Sequence, residues 1–238
     1  MRRRWFAVRW LVVPIFCLLL AALLGPRLVV VPRVSRGLSE QLKAYFSAEQ
    51  AEVVLTAPWG WEPLFGRIPE LSVVLINAEA DGLKIARAEF SGADIRFDAD
   101  SLWRGKDFVY AAASQLSGTL TVTEQALNEI FWREVDPERN LRVEIERGNI
   151  ILTGEVPFWT GRFDVQLRGV LEVWEQSGLR LVLQNLEVEG TRVPGILLEV
   201  LNQNYDLVID LSILPEPAAI SAVELLQGKM LIDIGVVR

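Results

Sequence analysis

Between residues 141 and 213 apolar and polar side chains alternate with a period of two. In RFDVQLRGVLEV (162 to 173), Phe163, Val165, Leu167, Leu171 and Val173 share one face, while Arg162, Asp164, Gln166, Arg168 and Glu172 share the other. LRVEIER, GLRLVLQNLEVEG and YDLVIDLSIL repeat the scheme through Leu141/Val143/Ile145, Leu179/Leu181/Leu183 and Leu207/Ile209/Leu211/Ile213. Less sharp strand patterns occupy 51–56, 71–77, 83–98 and 107–122. One dry face and one wet face predict antiparallel sheet. Asp81-Gly82, Arg147-Gly148-Asn149, Gln176-Ser177-Gly178 and Gln227-Gly228 supply the turns between hairpin neighbours. Strands of ten residues or more exceed the usual five or six, so the sheet is expected to twist and coil around whatever it covers.

Three stretches switch to a helical period. In VSRGLSEQLKAYFSAEQ, Val34, Leu38, Leu42 and Tyr45/Phe46 mark one face. TEQALNEIFWRE (123 to 134) opens on an N-cap, Thr123 or else Thr121 paired with Glu124, and presents Leu127, Ile130 and Phe131 inward. Pro194 opens the third, in which Ile196, Leu197, Leu198, Val200 and Leu201 cover about 200° of arc, against the roughly 100° that packing on one surface needs. Leu197, Val200 and Leu201 can pack on the sheet while Leu198 or Ile196 faces a cavity; alternatively the whole arc is core. The expected architecture is α+β: one long, strongly curved antiparallel sheet wrapped around two or three helices, preceded by an N-terminal membrane helix.

Composition narrows the chemistry. The chain of 238 residues is 51% apolar, and its mean hydropathy is +0.27, enough to bury a sizeable core. It has no histidine and one cysteine, Cys17. Disulfides within the chain, Cys/His zinc sites and Ser-His-Asp triads are thereby excluded. Seven of the 24 basic side chains precede residue 37 and no acid does, so the remainder carries 17 basic against 31 acidic groups, a net of −14. So acidic a domain is a poor partner for phosphate backbones, and nucleic acid is set aside.

The N-terminus reads as a membrane address. The apolar run Trp10 to Leu24 spans about 22 Å as a helix, short for a bilayer core of about 30 Å and like the apolar region of a signal peptide. No small-x-small cleavage site follows it, which favours an uncleaved signal anchor over a cleaved peptide. Arg2, Arg3 and Arg4 place the N-terminus in the cytoplasm. Residues 1–32 are therefore expected to be a basic end and anchor, and 33–238 a domain on the extracytoplasmic side of the cell membrane.

Several segments then carry a resemblance: LFGRIPELSVVL (64 to 75), the region 83 to 98 and its continuation to DADSLWRGKDF, GTLTVTEQALNEIF (118 to 131), GNIILTG (148 to 154), EGTRVP (189 to 194), SILPEP (212 to 217) and LLQGKMLIDIG (225 to 235). In order and spacing they resemble the LmeA-like phospholipid-binding proteins, from about Val34 to Val236. The resemblance implies a tubular lipid-binding type of fold with an apolar groove for acyl chains, and a bacterial protein exported or anchored outside the cytoplasm that supports envelope lipid metabolism. The chain departs from the family in lacking a cleavage site and in the aromatic insertion PWGWEP (58 to 63).

On this reading a phospholipid or other acyl-chain lipid is the ligand. The groove is expected to be lined by Phe108, Tyr110, Leu127, Ile130, Phe131, Ile196, Leu197, Leu198 and Leu201. Aromatic residues in turns, Trp59, Trp61, Trp103, Phe158 and Trp159, are candidates for membrane contact because an amphipathic ring suits the interface. No catalytic residue, metal or cofactor is called for, and protein partners are not specified. Two other functions compete: an envelope interaction domain with a fully packed core, and a glycan hydrolase using paired carboxylates among Asp94/Asp98/Asp100, Glu144/Glu146 or Glu187/Glu189. Acids opposite apolar residues are also what a solvated sheet face looks like.

Overall fold

The structure is a computed structural model and describes residues 26–80, 82–100, 110–158, 161–175, 178–196, 199, 208–210 and 218–236. Period-two segments become strands β1 (Gln50–Thr56), β2 (Arg67–Ala80), β3 (Leu83–Phe97), β4 (Tyr110–Ala112), β5 (Gln115–Thr123), β6 (Leu141–Glu146), β7 (Asn149–Phe158), β8 (Gly161–Trp174), β9 (Gly178–Val188), β10 (Thr191–Arg192), β11 (Val208–Asp210), β12 (Ala218–Leu226) and β13 (Lys229–Val236). Residues 26–45 form helix α1, and Glu124–Glu134 form helix α2. A short 3-10 turn, Glu62–Phe65, separates β1 from β2.

These strands make two antiparallel sheets, neither closed, where a single long sheet was expected. Sheet A runs β1-β2-β3-β5-β13-β12, with β4 on the end of β3; sheet B runs β10-β9-β8-β7-β6, with β11 on β9. The break has a local cause. Between β5 and β6 the chain passes through α2, and α2 then occupies the free edge of β6, so no strand of sheet A can pair there.

Helix α2 caps that edge with side chains. Ile145 N–H donates to Glu124 Oε2 at 3.0 Å, and Val143 N–H donates to Asn128 Oδ1 at 2.8 Å. Asn128 Nδ2 returns a bond to Val143 O at 2.6 Å, and Trp132 Nε1 donates to Leu141 O at 2.7 Å. Glu124, Asn128 and Trp132 are four residues apart, about 6 Å of helix, and their partners two residues apart, about 6.8 Å of strand. The two periods match closely enough for one helical face to substitute for a strand. α1 does the same for the β1 edge of sheet A: the Ser35 and Ser39 hydroxyls donate to Val53 O and Ala51 O. Both devices blunt an edge that would otherwise template strand addition.

Of the two candidates, Thr123 is the N-cap of α2, its hydroxyl accepting from Ala126 N–H at 3.2 Å. α1 differs from expectation. It already runs from residue 26 and passes through Pro32, whose exposed ring faces solvent while Val34 and Leu38 are buried on the sheet side. Packing and the two serine bonds hold the helix across the backbone bond that proline removes.

The two sheets meet where their turns bond. Gly148 N–H donates to Leu225 O at 3.0 Å, and Gly228 N–H donates to Ile145 O at 2.9 Å. A single apolar core crosses this junction, joining Ile68, Leu75, Leu120, Val122, Met230 and Ile232 of sheet A to Val143, Ile145, Ile150 and Leu179 of sheet B. The run Trp10 to Leu24 lies outside the described residues; among those described, no helix is long and apolar enough to cross a membrane.

Candidate functional site

The inner face of sheet B is apolar along its whole length, but covered along only part of it. Register places Val143 against Leu152, Leu152 against Leu167, and Leu167 against Leu186. Two residues further from the junction, Val165 lies between Gly154 and Val188, and beyond it Phe163 lies against Val156. Near the junction Ile145, Ile150, Leu152, Leu171, Leu179 and Leu183 are buried. Further out Val156, Val165, Leu167, Leu186 and Val188 are half-buried, and Phe163 is 38% exposed. An alternating strand normally turns its apolar residues to a covered side. Here the alternation continues past the buried part, so that apolar side chains across β7, β8 and β9 are only half-buried.

The opposite face is closed by local pairing. Arg162 pairs with Glu155 at 3.4 Å and Arg168 with Glu146 at 3.8 Å; Asp164 N–H donates to Glu189 Oε1 at 2.9 Å and Asn185 Nδ2 to Glu187 Oε1 at 2.9 Å. On sheet A, Asp94 takes Arg67 at 2.5 Å and Arg96 at 4.0 Å. Carboxylates from each set considered for glycan hydrolysis are thus engaged by arginine, amide or backbone groups on the solvent side. Among the described residues no three His, Cys, Asp or Glu side chains are placed to hold a metal ion.

The residues expected to line a groove are distributed unevenly. Leu127 is buried in the common core, and Ile130 and Phe131 are half-buried against it. Ile196 is 71% exposed. The backbone of Tyr110 is in β4; Phe108, Leu197, Leu198 and Leu201 lie outside the described residues. Of the proposed membrane contacts, Trp59 and Trp61 are together on the loop between β1 and β2, and both are exposed. That loop is at the end of sheet A farthest in register from the junction. Phe158 closes β7, about 30 Å of strand beyond the junction in sheet B; Trp103 and Trp159 lie outside the described residues.

Sequence reasoning placed Phe163, Val165 and Leu167 on a dry face without nominating them as a site. The available signal was that β7, β8 and β9 offer three adjacent apolar faces.

A family model described as LmeA-like phospholipid-binding matches residues 21–234. The chain belongs to this family. Membership in the LmeA-like phospholipid-binding family bears out the resemblance carried by the segments between Val34 and Val236. It also marks the domain as one of a lipid-binding family rather than of a known enzyme family. No curated protein and no solved structure matches the chain.

Proposed function

We propose that this member of the LmeA-like family is a non-enzymatic, membrane-anchored protein on the extracytoplasmic side that holds or transfers phospholipid for maintenance of a bacterial envelope. The observation that carries the reading is the apolar ladder Val156–Phe163 and Val165–Val188 on sheet B, of which Phe163 is exposed and the rest half-buried. An acyl chain of about 15 methylenes laid on such a surface gains on the order of 12 kcal/mol before ordering costs, at about 0.8 kcal/mol per methylene. Apolar contact is therefore enough to retain a lipid without a charged clamp for its headgroup. The anchor in this proposal is the run Trp10 to Leu24, with Arg2 to Arg4 on the cytoplasmic side.

Native mass spectrometry of the full chain released from detergent micelles tests the proposal. The wild-type protein is expected to retain about one phospholipid, and the variant Phe163→Asp to lose it while keeping its melting temperature, because that ring is 38% exposed without lipid. A wild-type chain that carries no phospholipid would defeat the reading.

A further inference from the structure

Exposed apolar side chains gather at a second place, remote from sheet B. Five of the twelve large apolar residues exposed among those described lie at positions 28–29 and 59–65: Leu28, Val29, Trp59, Trp61 and Phe65, of which Leu28 is 73% and Phe65 81% exposed. Tertiary contact brings the two segments together. Gly60, between the tryptophans, adopts φ +75° against the backbone of Pro26 and Arg27, so closely that a Cβ there would lie 2.3 Å from Arg27 N. A side chain at Gly60 would both strain the turn and separate the loop from α1.

The loop is built to keep its shape. Trp59 N–H donates to Glu62 Oε1 at 3.1 Å, Pro63 is buried, and Gly66 ends the 3-10 turn at φ 72°. Gly66 O in turn accepts from Phe97 N–H at 2.9 Å, which ties the loop to the end of β3. Trp59, Trp61 and Phe65 are therefore presented on an anchored scaffold, and their exposure is not that of a loose tip. Large apolar patches held out to solvent mark interaction surfaces.

What they meet follows from the chain that adjoins them. The described part of α1 starts at Pro26, two residues after the apolar run Trp10 to Leu24 in the sequence, and its first exposed apolar residues are Leu28 and Val29. Tryptophan at the boundary between a polar and an apolar phase is characteristic of the bilayer interface. The exposed Arg27 beside it can reach headgroup phosphate with its charged end. We propose that the end of sheet A formed by Leu28, Val29, Trp59, Trp61 and Phe65 docks into the surface of a lipid bilayer, so that the domain is held in a fixed orientation rather than suspended on a tether. This rests on the anchor proposed above and adds a second membrane contact to it. Docking is apolar in origin. Among the described residues, charges of both signs lie near the patch, Arg27, the half-buried Glu62, Arg67 paired to Asp94, and Asp98 and Asp100 beside the Gly66 contact, so the apolar contact is expected to persist at high salt.

Spin-label accessibility on the full chain in phosphatidylcholine/phosphatidylglycerol vesicles tests it. In a Cys17→Ser background, single labels replace Phe65 or, as a reference, Tyr45, which is 81% exposed at the other end of α1. Both sites are open, so neither substitution endangers folding. The label at 65 is expected to be several-fold more accessible to oxygen and less accessible to a water-soluble nickel chelate than the label at 45, at low and high salt alike. Replacing Trp59 and Trp61 by Ser in the labelled chain should return the label at 65 to the reference value. Equal accessibility at 65 and 45 overturns the docking proposal. That failure is distinguishable from failure of lipid retention, because mass spectrometry reads bound phospholipid irrespective of how the domain is oriented.

Discussion

Sheet A and sheet B are written in the same alternating code and end differently. On sheet A the apolar face is covered throughout its centre: Ile68, Val122 and Ile232 have no exposed surface, beneath α1, α2 and the near half of sheet B. On sheet B the same pattern is buried near the junction and only half-buried or exposed beyond Leu167. Alternation states which side of a strand avoids water; it does not state whether the protein itself supplies what excludes the water. Where the chain provides a helix, the dry face is core. Where the described side chains of sheet B are only half-buried, the dry face keeps apolar area in contact with water, which is compatible with membership in a phospholipid-binding family.

The contrast can be broken most forcefully at a fully buried position. Ile232→Ala, in the middle of sheet A, is expected to cost about 2–5 kcal/mol in urea unfolding, because its neighbours cannot collapse into the space left. Phe163→Ala, the same class of change on the same kind of face in sheet B, is expected to cost about 1 kcal/mol or less, since much of that ring is already in water. Equal costs would mean that the outer half of sheet B is core after all.

A smaller effect is expected at the boundary between the sheets. Asn128→Ala leaves both the N–H and the carbonyl of Val143 without their side-chain partner at a buried edge. It should lower stability by about 1–3 kcal/mol, with hydrogen exchange rising first at Val143. A variant as stable as wild type would show that α2 merely covers β6 and does not complete its ladder.

The smallest effect concerns α2 and sheet A. Lys84 Nζ lies 2.7 Å from Glu129 Oε2, and this hydrogen bond raises the Lys84 pKa and lowers that of Glu129, which Gln125 also helps to lower. The raised lysine contributes stability that is present below its unfolded pKa and lost as pH rises through its folded one. The lowered glutamate contributes stability present above its unfolded pKa and lost as pH falls through its folded one. Both groups are open to water, so Glu129→Gln should shift the neutral-pH melting temperature barely resolvably, and at about pH 2, below the carboxylate range, not at all. A large neutral-pH shift would mean that the pair clamps α2 to sheet A.

Most strands, the N-cap at Thr123 and the hairpin turn at Gln227-Gly228 were legible along the chain, because each depends on neighbours two to four residues away. The division into two sheets was not. It depends on Glu124, Asn128 and Trp132 meeting Ile145, Val143 and Leu141, and nothing in a polar Asn on an amphipathic helix announces that its partner is a strand edge. The candidate site was half legible: Phe163 and Val165 read as dry, but that one is exposed and the other half-buried appears only in the folded chain.

The amino-acid sequence by itself therefore determined the local periods, the acidic domain with its basic, apolar N-terminal run, and the family. These are properties of composition and of short spacing. The tertiary structure alone decided which dry faces are closed and which stay open, and that Trp59 and Trp61 stand beside Leu28 and Val29. The reason is physical: burial is a property of area shared between segments far apart in the chain, and no local pattern records the other half of a contact.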